Sequence, residues 1–491
     1  MDLVSDGSET AAPALSRGSV RWSALAIIGR QVSQITCALV LARLLGPSTY
    51  GVISAATVYV TLTTLVLDQG LAAAVVQRPR LEARTAGAVA TANLVTGVVL
   101  AAGTWLLAPL VADFFRADRL TELLRVLGLG LLLKAVAITP RALQLRRLGF
   151  RTLALADIVG GVSGAVLGIG AAVLGADIWS LAWQVLATDL VIGAVLVAAT
   201  RDCRPNLQLR RLGEVLPFSV RILGSNSLAF LSRNSDNILV GRFLGVTSLS
   251  LYSMAYRVLV IPVQLIGQTV NRVAFPTLAR LTGDAQRLAS TTRMITEMLA
   301  TAAIPPMVLA AVASSELIRV VLGPDWSAAS TVLSVLALAG ARETALQGTH
   351  SLMRAMGRGR LILRYEIGAA CVQLTGIVIG LQFGVLGVAI GFTLAGFVLT
   401  PVLMAIQKRL AGLPYRVQLG ALAPGMHCSL WGALAYLAVE LADWSALPTL
   451  VVGSLTFAVV SLLVLRLAHA RTWASVIGSR FRVGSEEGSS A

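Results

Sequence analysis

The stretch ARLLGPSTYGV (Ala42–Val52) separates two long apolar runs, and GRFLGVTSLSLYSMA (Gly241–Ala255) repeats its pattern much later in the chain. Both read arginine, hydrophobe, leucine, glycine, a short polar turn, tyrosine and a new apolar run. A glycine ends a helix readily, and a cation suits the last helical turn. Tyrosine favours the boundary between lipid and water. Each stretch therefore predicts a corner between two helices at a membrane surface.

The composition of the whole chain indicates a membrane protein. Of its 491 residues, 56% are hydrophobic and only 13% are charged, and the mean hydropathy is +0.79. A soluble protein could not bury so much apolar surface with so few charges for its exterior. Runs long enough to cross a bilayer recur from end to end. These fourteen runs lie near residues 22–45, 52–76, 86–111, 120–143, 153–174, 178–199, 215–243, 251–278, 290–312, 329–353, 361–383, 385–406, 419–440 and 446–467.

The net charge of +16 predicts an orientation rather than binding to nucleic acid. Basic residues cluster in every second connection between apolar runs, and such clusters mark cytoplasmic loops. Both termini are then predicted to be cytoplasmic, in a multi-pass protein of the inner membrane. The outside loops hold few basic residues: Arg43, Arg116, Arg119, Arg242 and Arg319.

The repeated corner divides the fourteen helices into two similar sets. Any membrane corner selects Gly, Arg and Tyr, so the repeat alone does not establish a duplication. Because six helices separate the two copies, however, both have the same orientation, as in transporters with parallel repeats. The predicted fold is all-α, with two parallel six-helix lobes plus two C-terminal helices. The parts are a tail at 1–20, lobes at 21–205 and 206–412, additional helices at 413–470 and a tail at 471–491.

Polar residues inside the predicted spans are the candidates for function, because charge within a membrane is costly. The seventh span is the most polar. Asn226, Arg233 and Asn237 share one helical stripe, and Arg221 and Asp236 lie on the adjacent one. A hydrated cavity lined by such residues and by Arg30 would attract an anion. Phosphate suits arginine best, through paired hydrogen bonds.

Further charges occur in other spans. Arg257 continues the polar pattern in the eighth span, and Asp68 and Asp236 are the candidates for coupling to H⁺ or Na⁺. Interhelical ion pairs are the competing explanation throughout. For several residues that structural role is at least as good an interpretation, because many lie near helix ends or can extend to the surface. These are Lys134, Asp157, Asp189, Glu297, Arg342, Glu343 and Glu366.

Motifs for catalysis and cofactors are missing from the sequence. It contains no DxD, P-loop, HExxH or GxSxG pattern, so neither an enzyme nor an ATPase is predicted. The four cysteines and three histidines are scattered and predict no disulfide and no metal site.

A family resemblance is carried by RNSDNILVGRFLG (233–245), LYSMAYRV (251–258) and AFPTLARL (274–281). LARLLGPSTYGVISAATVYV (41–60) and DQGLAAAVVQRP (68–79) support it. These stretches resemble the polysaccharide-transporter branch, the Wzx-type flippases, of the multidrug/oligosaccharidyl-lipid/polysaccharide exporter superfamily. The resemblance covers most of residues 22–406.

The resemblance implies a transporter with alternating access and no cofactor. Its implied substrate is an undecaprenyl-diphosphate-linked oligosaccharide, a polyprenyl-linked glycan that moves from the inner to the outer leaflet for polysaccharide biosynthesis. Polysaccharide polymerases and glycosyltransferases are the implied partners. By position, Arg30, Arg221, Arg233 and Arg257 are the implied ligands of the diphosphate.

Three other functions stay open at this point. Two of them belong to the same superfamily: a flippase for a peptidoglycan lipid precursor and a multidrug antiporter. An antiporter for cationic drugs should have an acidic cavity, whereas this sequence has an excess of arginine. From a different class, a membrane-embedded polymerase or glycosyltransferase should have a large external or acid-rich loop, and the sequence has neither.

Overall fold

The computed structural model describes residues 17–68, 71–77, 82–200, 205–208 and 216–476. Within these ranges the chain forms α-helices, with a 3₁₀ helix at Pro324–Trp326 and no β-strand, which confirms the predicted all-α fold. The helices are α1 (Arg17–Asp68), α2 (Leu71–Gln77), α3 (Ala83–Phe115), α4 (Arg119–Arg146), α5 (Phe150–Val173), α6 (Trp179–Ala199), α7 (Leu216–Leu244), α8 (Val246–Arg280), α9 (Ala285–Val312), α10 (Ser314–Val321), α11 (Ala328–Leu346), α12 (Gly348–Ala355), α13 (Gly359–Leu381), α14 (Gly384–Ala411), α15 (Tyr415–Glu440), α16 (Ala446–Ala468) and α17 (Ala470–Val476).

Ten helices in the described ranges are long and apolar enough to cross a membrane, and the chain is a multi-pass membrane protein. All fourteen predicted runs overlap with helices, because α1 contains the first and most of the second, and α11 and α12 share the tenth. The helices α7, α8 and α11 are not among the ten. The count of fourteen crossings and the cytoplasmic termini therefore stay predictions.

The repeated corner has the same construction in both copies. Gly46 interrupts α1 with φ of 72°, and Pro47 begins the second arm. Gly245 separates α7 from α8 with φ of 86°. Only glycine adopts this left-handed region readily, while proline is favoured in the first turn of a helix. The predicted corners are thus confirmed as sharp breaks between helices.

The two corners also touch each other. The Ser250 hydroxyl lies 2.7 Å from the carbonyl oxygen of Pro47. On the other side, a Cβ added to Gly51 would lie 2.3 Å from the carbonyl oxygen of Val246. When the copies are aligned at their break glycines, Pro47 corresponds to Val246 and Gly51 to Ser250. The contacts are therefore reciprocal, as expected for two related segments that pack about a local two-fold axis.

Contacts between helices divide the chain into two units, Met1–Ser250 and Leu251–Ala491. In the first unit α3 packs against α4, α5 packs against α6, and α7 contacts α1. In the second unit α9 packs against α11 and α15, while α13 packs against α14. The boundary between units falls within α8. The predicted lobe boundary at 205/206 is a different division, based on the repeat, and stays a prediction.

Hydrogen bonds between the ring nitrogens of Trp431, His427 and His469 connect α15 with the end of α16. The Trp431 indole N–H donates to Nε2 of His427, at 3.1 Å. An indole can only donate, so the His427 proton must lie on Nδ1. Nδ1 is 3.1 Å from Nε2 of His469, which must then accept. Nearby, the Thr472 hydroxyl of α17 donates to Glu297 of α9.

Acidification is expected to loosen α17 from α9. Burial and the neighbouring His427 lower the pKa of His469, which immediately follows α16, below 6.5. As the pH falls, the form in which α17 is detached from α9 binds a proton on His469 before the docked form does. The docked form therefore keeps its stability above pH 6.5 and loses it as the pH falls below that value. Tryptic cleavage after the exposed Arg471, measured relative to cleavage of an unstructured peptide at the same pH, should accelerate below about pH 6.5. The same acceleration in His469→Gln would contradict this assignment.

Candidate functional site

The predicted polar residues of α7 are divided between its two faces. Asn226 and Arg233 are exposed, and Asn237 is half-buried. Asp236 is buried, and its Oδ1 accepts hydrogen bonds from the backbone N–H of Asn237 at 2.7 Å and from its Nδ2 at 3.2 Å. The stripe of Asn226 and Arg233 is therefore exposed, whereas Asp236 on the adjacent stripe is buried.

The other predicted ligands are distributed over the chain. Arg257 is half-buried in α8 and belongs to the second unit. The structure does not describe the side chains of Arg30 and Arg221, so the predictions for them lie outside the described part of the chain. The structure therefore leaves the proposed diphosphate site on these residues untested.

A cavity of about 800 Å³ lies within the first unit, between α1, α2, α4 and α6. It contains the predicted coupling residue Asp68. Most of its lining is apolar, but four charged side chains reach it. The lining residues are Thr64, Asp68, Ala72, Val76, Gln77, Lys134, Ala137, Ile138, Arg141, Ala142, Leu145, Asp189 and Ile192.

Lys134 is one of the two cations that line this cavity. Its Nζ lies 3.6 Å from Oδ2 of Asp189 and 3.5 Å from Oγ1 of Thr64. Both distances exceed the roughly 2.7–2.9 Å of a strong charge-assisted hydrogen bond. The Lys134 side chain is 25% exposed and that of Asp189 is 10% exposed. The ammonium group is therefore balanced by a carboxylate yet loosely held, and it retains donor capacity for an incoming anion.

The remaining charges of the cavity differ in how well they are satisfied. Arg141 forms a close ion pair with Asp157, whose side chain is 9% exposed. Asp68 ends α1, and its carboxyl group accepts a hydrogen bond from the backbone N–H of Ala72 at the start of α2, while its buried Oδ1 has no hydrogen-bond partner among the described residues. A buried carboxylate oxygen without a hydrogen-bond partner is costly. The predicted role of Asp68 in ion coupling stays a prediction.

The sequence does not predict that Lys134 and Asp189 meet, and for each of them a structural role is at least as good an interpretation as a functional one. The pairing depends on the register of α4 against α6, and no local pattern specifies it. One signal was present: Lys134 is one of only two lysines, in a chain that otherwise uses arginine. A lysine retained in the middle of a span is unusual in such a background.

Comparisons with known sequences give a consistent result. A profile described as polysaccharide biosynthesis protein matches residues 40–331. Succinoglycan biosynthesis transport protein ExoT of Rhizobium meliloti is 29% identical over 362 residues, covering 73% of each chain. Lipopolysaccharide biosynthesis protein WzxC of Escherichia coli is 25% identical over 445 residues, covering 88% of this chain and 86% of WzxC.

Solved structures with a similar fold include two kinds of transporter. The lipid II flippase MurJ, in an inward closed conformation, has a TM-score of 0.71 at 13% identity and covers 91% of this chain and 99% of its own. A multidrug resistance MATE transporter, in an inward-facing conformation, has a TM-score of 0.52 at 17% identity and covers 80% of this chain and 98% of its own. At these identities the likeness concerns the fold alone.

Proposed function

Because the chain belongs to the family of polysaccharide biosynthesis proteins, we propose that it is a flippase for polyprenyl-diphosphate-linked oligosaccharides in the inner membrane. It moves the lipid-linked glycan from the inner to the outer leaflet by alternating access. The observation that carries the proposal is the charged cavity among membrane-spanning helices. Charged groups inside a membrane protein line pathways for polar or ionic cargo.

The chemistry of the cavity suits the head group of such a lipid. Lys134 offers donors to a diphosphate oxygen, with Arg141 on the same helix two turns away. The exposed Arg233 of α7 adds a further cation suited to phosphate. Outward movement of an anion is favoured by an inside-negative potential, by about 2.3 kcal/mol per charge for each 100 mV. The sugar needs hydrogen-bonding partners along its path, which the polar residues of α7 supply.

A transporter is favoured over the membrane-embedded enzyme that the sequence alone left open. ExoT is named as a transport protein, and the similar folds are those of transporters. The reactions around it would be glycosyl transfer, which supplies the lipid-linked glycan, and polymerisation, which consumes it. Asp68 is the candidate for coupling this movement to H⁺ or Na⁺ in the first unit.

Deletion of the gene tests the proposal. Lipid-linked repeat units should accumulate on the cytoplasmic side of the membrane, and the surface polymer should be lost. Extraction of the lipids, followed by mass spectrometry, identifies the glycan. Unchanged lipid-linked intermediates would exclude this function, and accumulation of a peptidoglycan precursor would assign the other flippase activity.

Arg233 provides a prediction at the level of one residue. Arg233→Ala should abolish complementation of the deletion strain, whereas Arg233→Lys should keep part of it, since lysine retains the charge but not the planar pair of donors. The measurement is surface polysaccharide at matched protein levels in the membrane. Arg409→Ala is the matched control, because Arg409 is equally an exposed arginine, lies in the last turn of α14 and has no predicted role.

A further inference from the structure

A second cavity, of about 440 Å³, lies in the second unit beside the first half of α9. One wall is a stripe of α9, and the other is Leu413 together with Val417 of α15. The residues of the stripe recur three and four positions apart, so they lie on one face of the helix. They are Gln286, Ala289, Ser290, Arg293, Met294 and Glu297. We call this cavity the α9 pocket.

The α9 pocket lies at the boundary between the lipid head groups and the hydrocarbon of the membrane. With 28 residues at about 1.5 Å each, α9 is roughly 12 Å longer than a hydrocarbon core of about 30 Å. None of the residues from Met298 to Val312 is charged, so the excess length belongs to the polar first half. Tyr415, the first residue of α15, is 43% exposed, and exposed tyrosines favour this boundary. A head group and the start of its acyl chains therefore meet at the depth of the pocket.

The pocket contains one cation and one anion that do not pair with each other. Arg293 precedes Glu297 by one helical turn, an order that is less favourable for an ion pair than the reverse. The Arg293 side chain is exposed, and no hydrogen bond or ion pair joins it to any residue that the structure describes. Its guanidinium therefore keeps its donors for a ligand.

Glu297 is half-buried and contacts α17 through one of its two oxygens. Its Oε1 accepts a hydrogen bond from the Thr472 hydroxyl, and the carboxylate also interacts electrostatically with His469. An ionised carboxylate accepts several hydrogen bonds, and within the described part of the chain no second donor reaches Glu297. The pocket thus presents a donor group and an acceptor group one helical turn apart.

An ethanolamine phospholipid matches both of these groups. Its phosphate is the anion that a guanidinium binds best, through paired hydrogen bonds. Its primary ammonium group lies only two carbon atoms from a phosphate oxygen, a separation comparable with one helical turn of about 5.4 Å. That ammonium can donate a charge-assisted hydrogen bond to a carboxylate. Met294 and Val417 then contact the first carbon atoms of the acyl chains.

Other common head groups match the pocket less well. An anionic head group without an amine would place its charge near Glu297 and gain no cation for that carboxylate. A choline group has no N–H to donate, and proteins bind it with aromatic rings, none of which lines the described part of this pocket.

We propose that the α9 pocket binds one molecule of phosphatidylethanolamine from the surrounding membrane. Its phosphate binds Arg293 and its ammonium group binds Glu297. The lipid thereby joins α9 to the start of α15. This inference goes beyond the proposed transport function and does not depend on it.

Lipid titrations followed by native mass spectrometry test the site. The full-length protein in detergent is kept at about pH 7.5, where α17 is expected to stay docked. It is titrated separately with phosphatidylethanolamine, phosphatidylcholine and phosphatidylglycerol, and the dissociation constant of the first bound lipid is measured. We expect the wild type to bind phosphatidylethanolamine roughly ten-fold more tightly than the other two, because only this lipid satisfies both charges.

Two variants assign the two charges. Glu297→Gln should lose most of the preference for phosphatidylethanolamine over phosphatidylcholine, while its amide oxygen still accepts from Thr472. Arg293→Gln should weaken the binding of both lipids roughly ten-fold, because both carry the phosphate. Arg287→Gln is the matched control and should bind like the wild type. Arg287 is also exposed and on α9, but it lies outside the pocket and 3.4 Å from Asp284.

The alternatives give different results in the same titrations. Equal affinities of the wild type for phosphatidylethanolamine and phosphatidylcholine would overturn the proposal, and so would unchanged binding in both Glu297→Gln and Arg293→Gln. Tighter binding of phosphatidylglycerol that Arg293→Gln removes would assign the pocket to an anionic lipid instead. Thr472→Val removes the hydrogen bond to α17 but keeps the carboxylate, so it should keep the preference. Loss of the preference in Thr472→Val would show that Glu297 acts only by docking α17.

Discussion

Replacement of Lys134 by alanine is expected to abolish surface polysaccharide and to lower the stability of the protein. The change removes the nearest cation from Asp189, whose side chain is only 10% exposed, and leaves only the weaker interaction with Arg141. Loss of one partner from a buried pair costs about 3–5 kcal/mol, because an uncompensated charge remains. Surface polysaccharide in the deletion strain and thermal unfolding of the purified variant measure the two effects.

A double variant separates the effect on folding from the effect on transport. In Lys134→Met/Asp189→Leu both charges are absent, and apolar replacement of a buried pair is often neutral for stability. Thermal stability should therefore recover, whereas surface polysaccharide should stay absent because the cavity has lost the loosely held ammonium group of Lys134. Normal polysaccharide in the double variant would show that the pair is only structural.

The exposed pair Arg119–Asp177 is the matched control for this experiment. Its atoms are 2.5 Å apart, and its side chains are 58% and 38% exposed. An exposed ion pair contributes only about 0–1 kcal/mol, so Arg119→Ala should change neither stability nor polysaccharide measurably. The comparison also shows that a short distance does not by itself make an ion pair important.

The parts of the fold that the sequence predicts are those with local causes. Hydropathy locates the spans because each helix must satisfy its backbone within the membrane. The break at Gly46 is predictable because Gly, Pro and Tyr act within a few residues of it. The same reasoning places the break at Gly245, and both appear in the structure.

The candidate site is less predictable because its residues meet through tertiary packing. Asp68 was selected as a charge in a span, and it does line the cavity. Its neighbours Lys134 and Asp189 come from α4 and α6, whose mutual register no local pattern encodes.

Because the two corners contact each other, Gly51 in the first corner has no room for a side chain. A Cβ there would lie 2.3 Å from the carbonyl oxygen of Val246 and 3.0 Å from the amide nitrogen of Thr247. Both atoms belong to the backbone, so no side chain can rotate away. The corners would have to separate, and this movement would also lengthen the 2.7 Å contact between Ser250 and Pro47.

Gly51→Ala is therefore expected to destabilise the protein by about 1–3 kcal/mol from overpacking, with up to about 1 kcal/mol more from the strained hydrogen bond. Gly103→Ala in α3 is the matched control, because a Cβ there meets no atom within 4 Å and alanine favours a helix. Ser250→Ala removes the hydrogen bond without overpacking and should cost only the smaller amount. Thermal unfolding in detergent measures all three variants. Equal stability of Gly51→Ala and Gly103→Ala would mean that the corners are not held together by this close approach, and that their repeated sequence reflects only what any membrane corner requires.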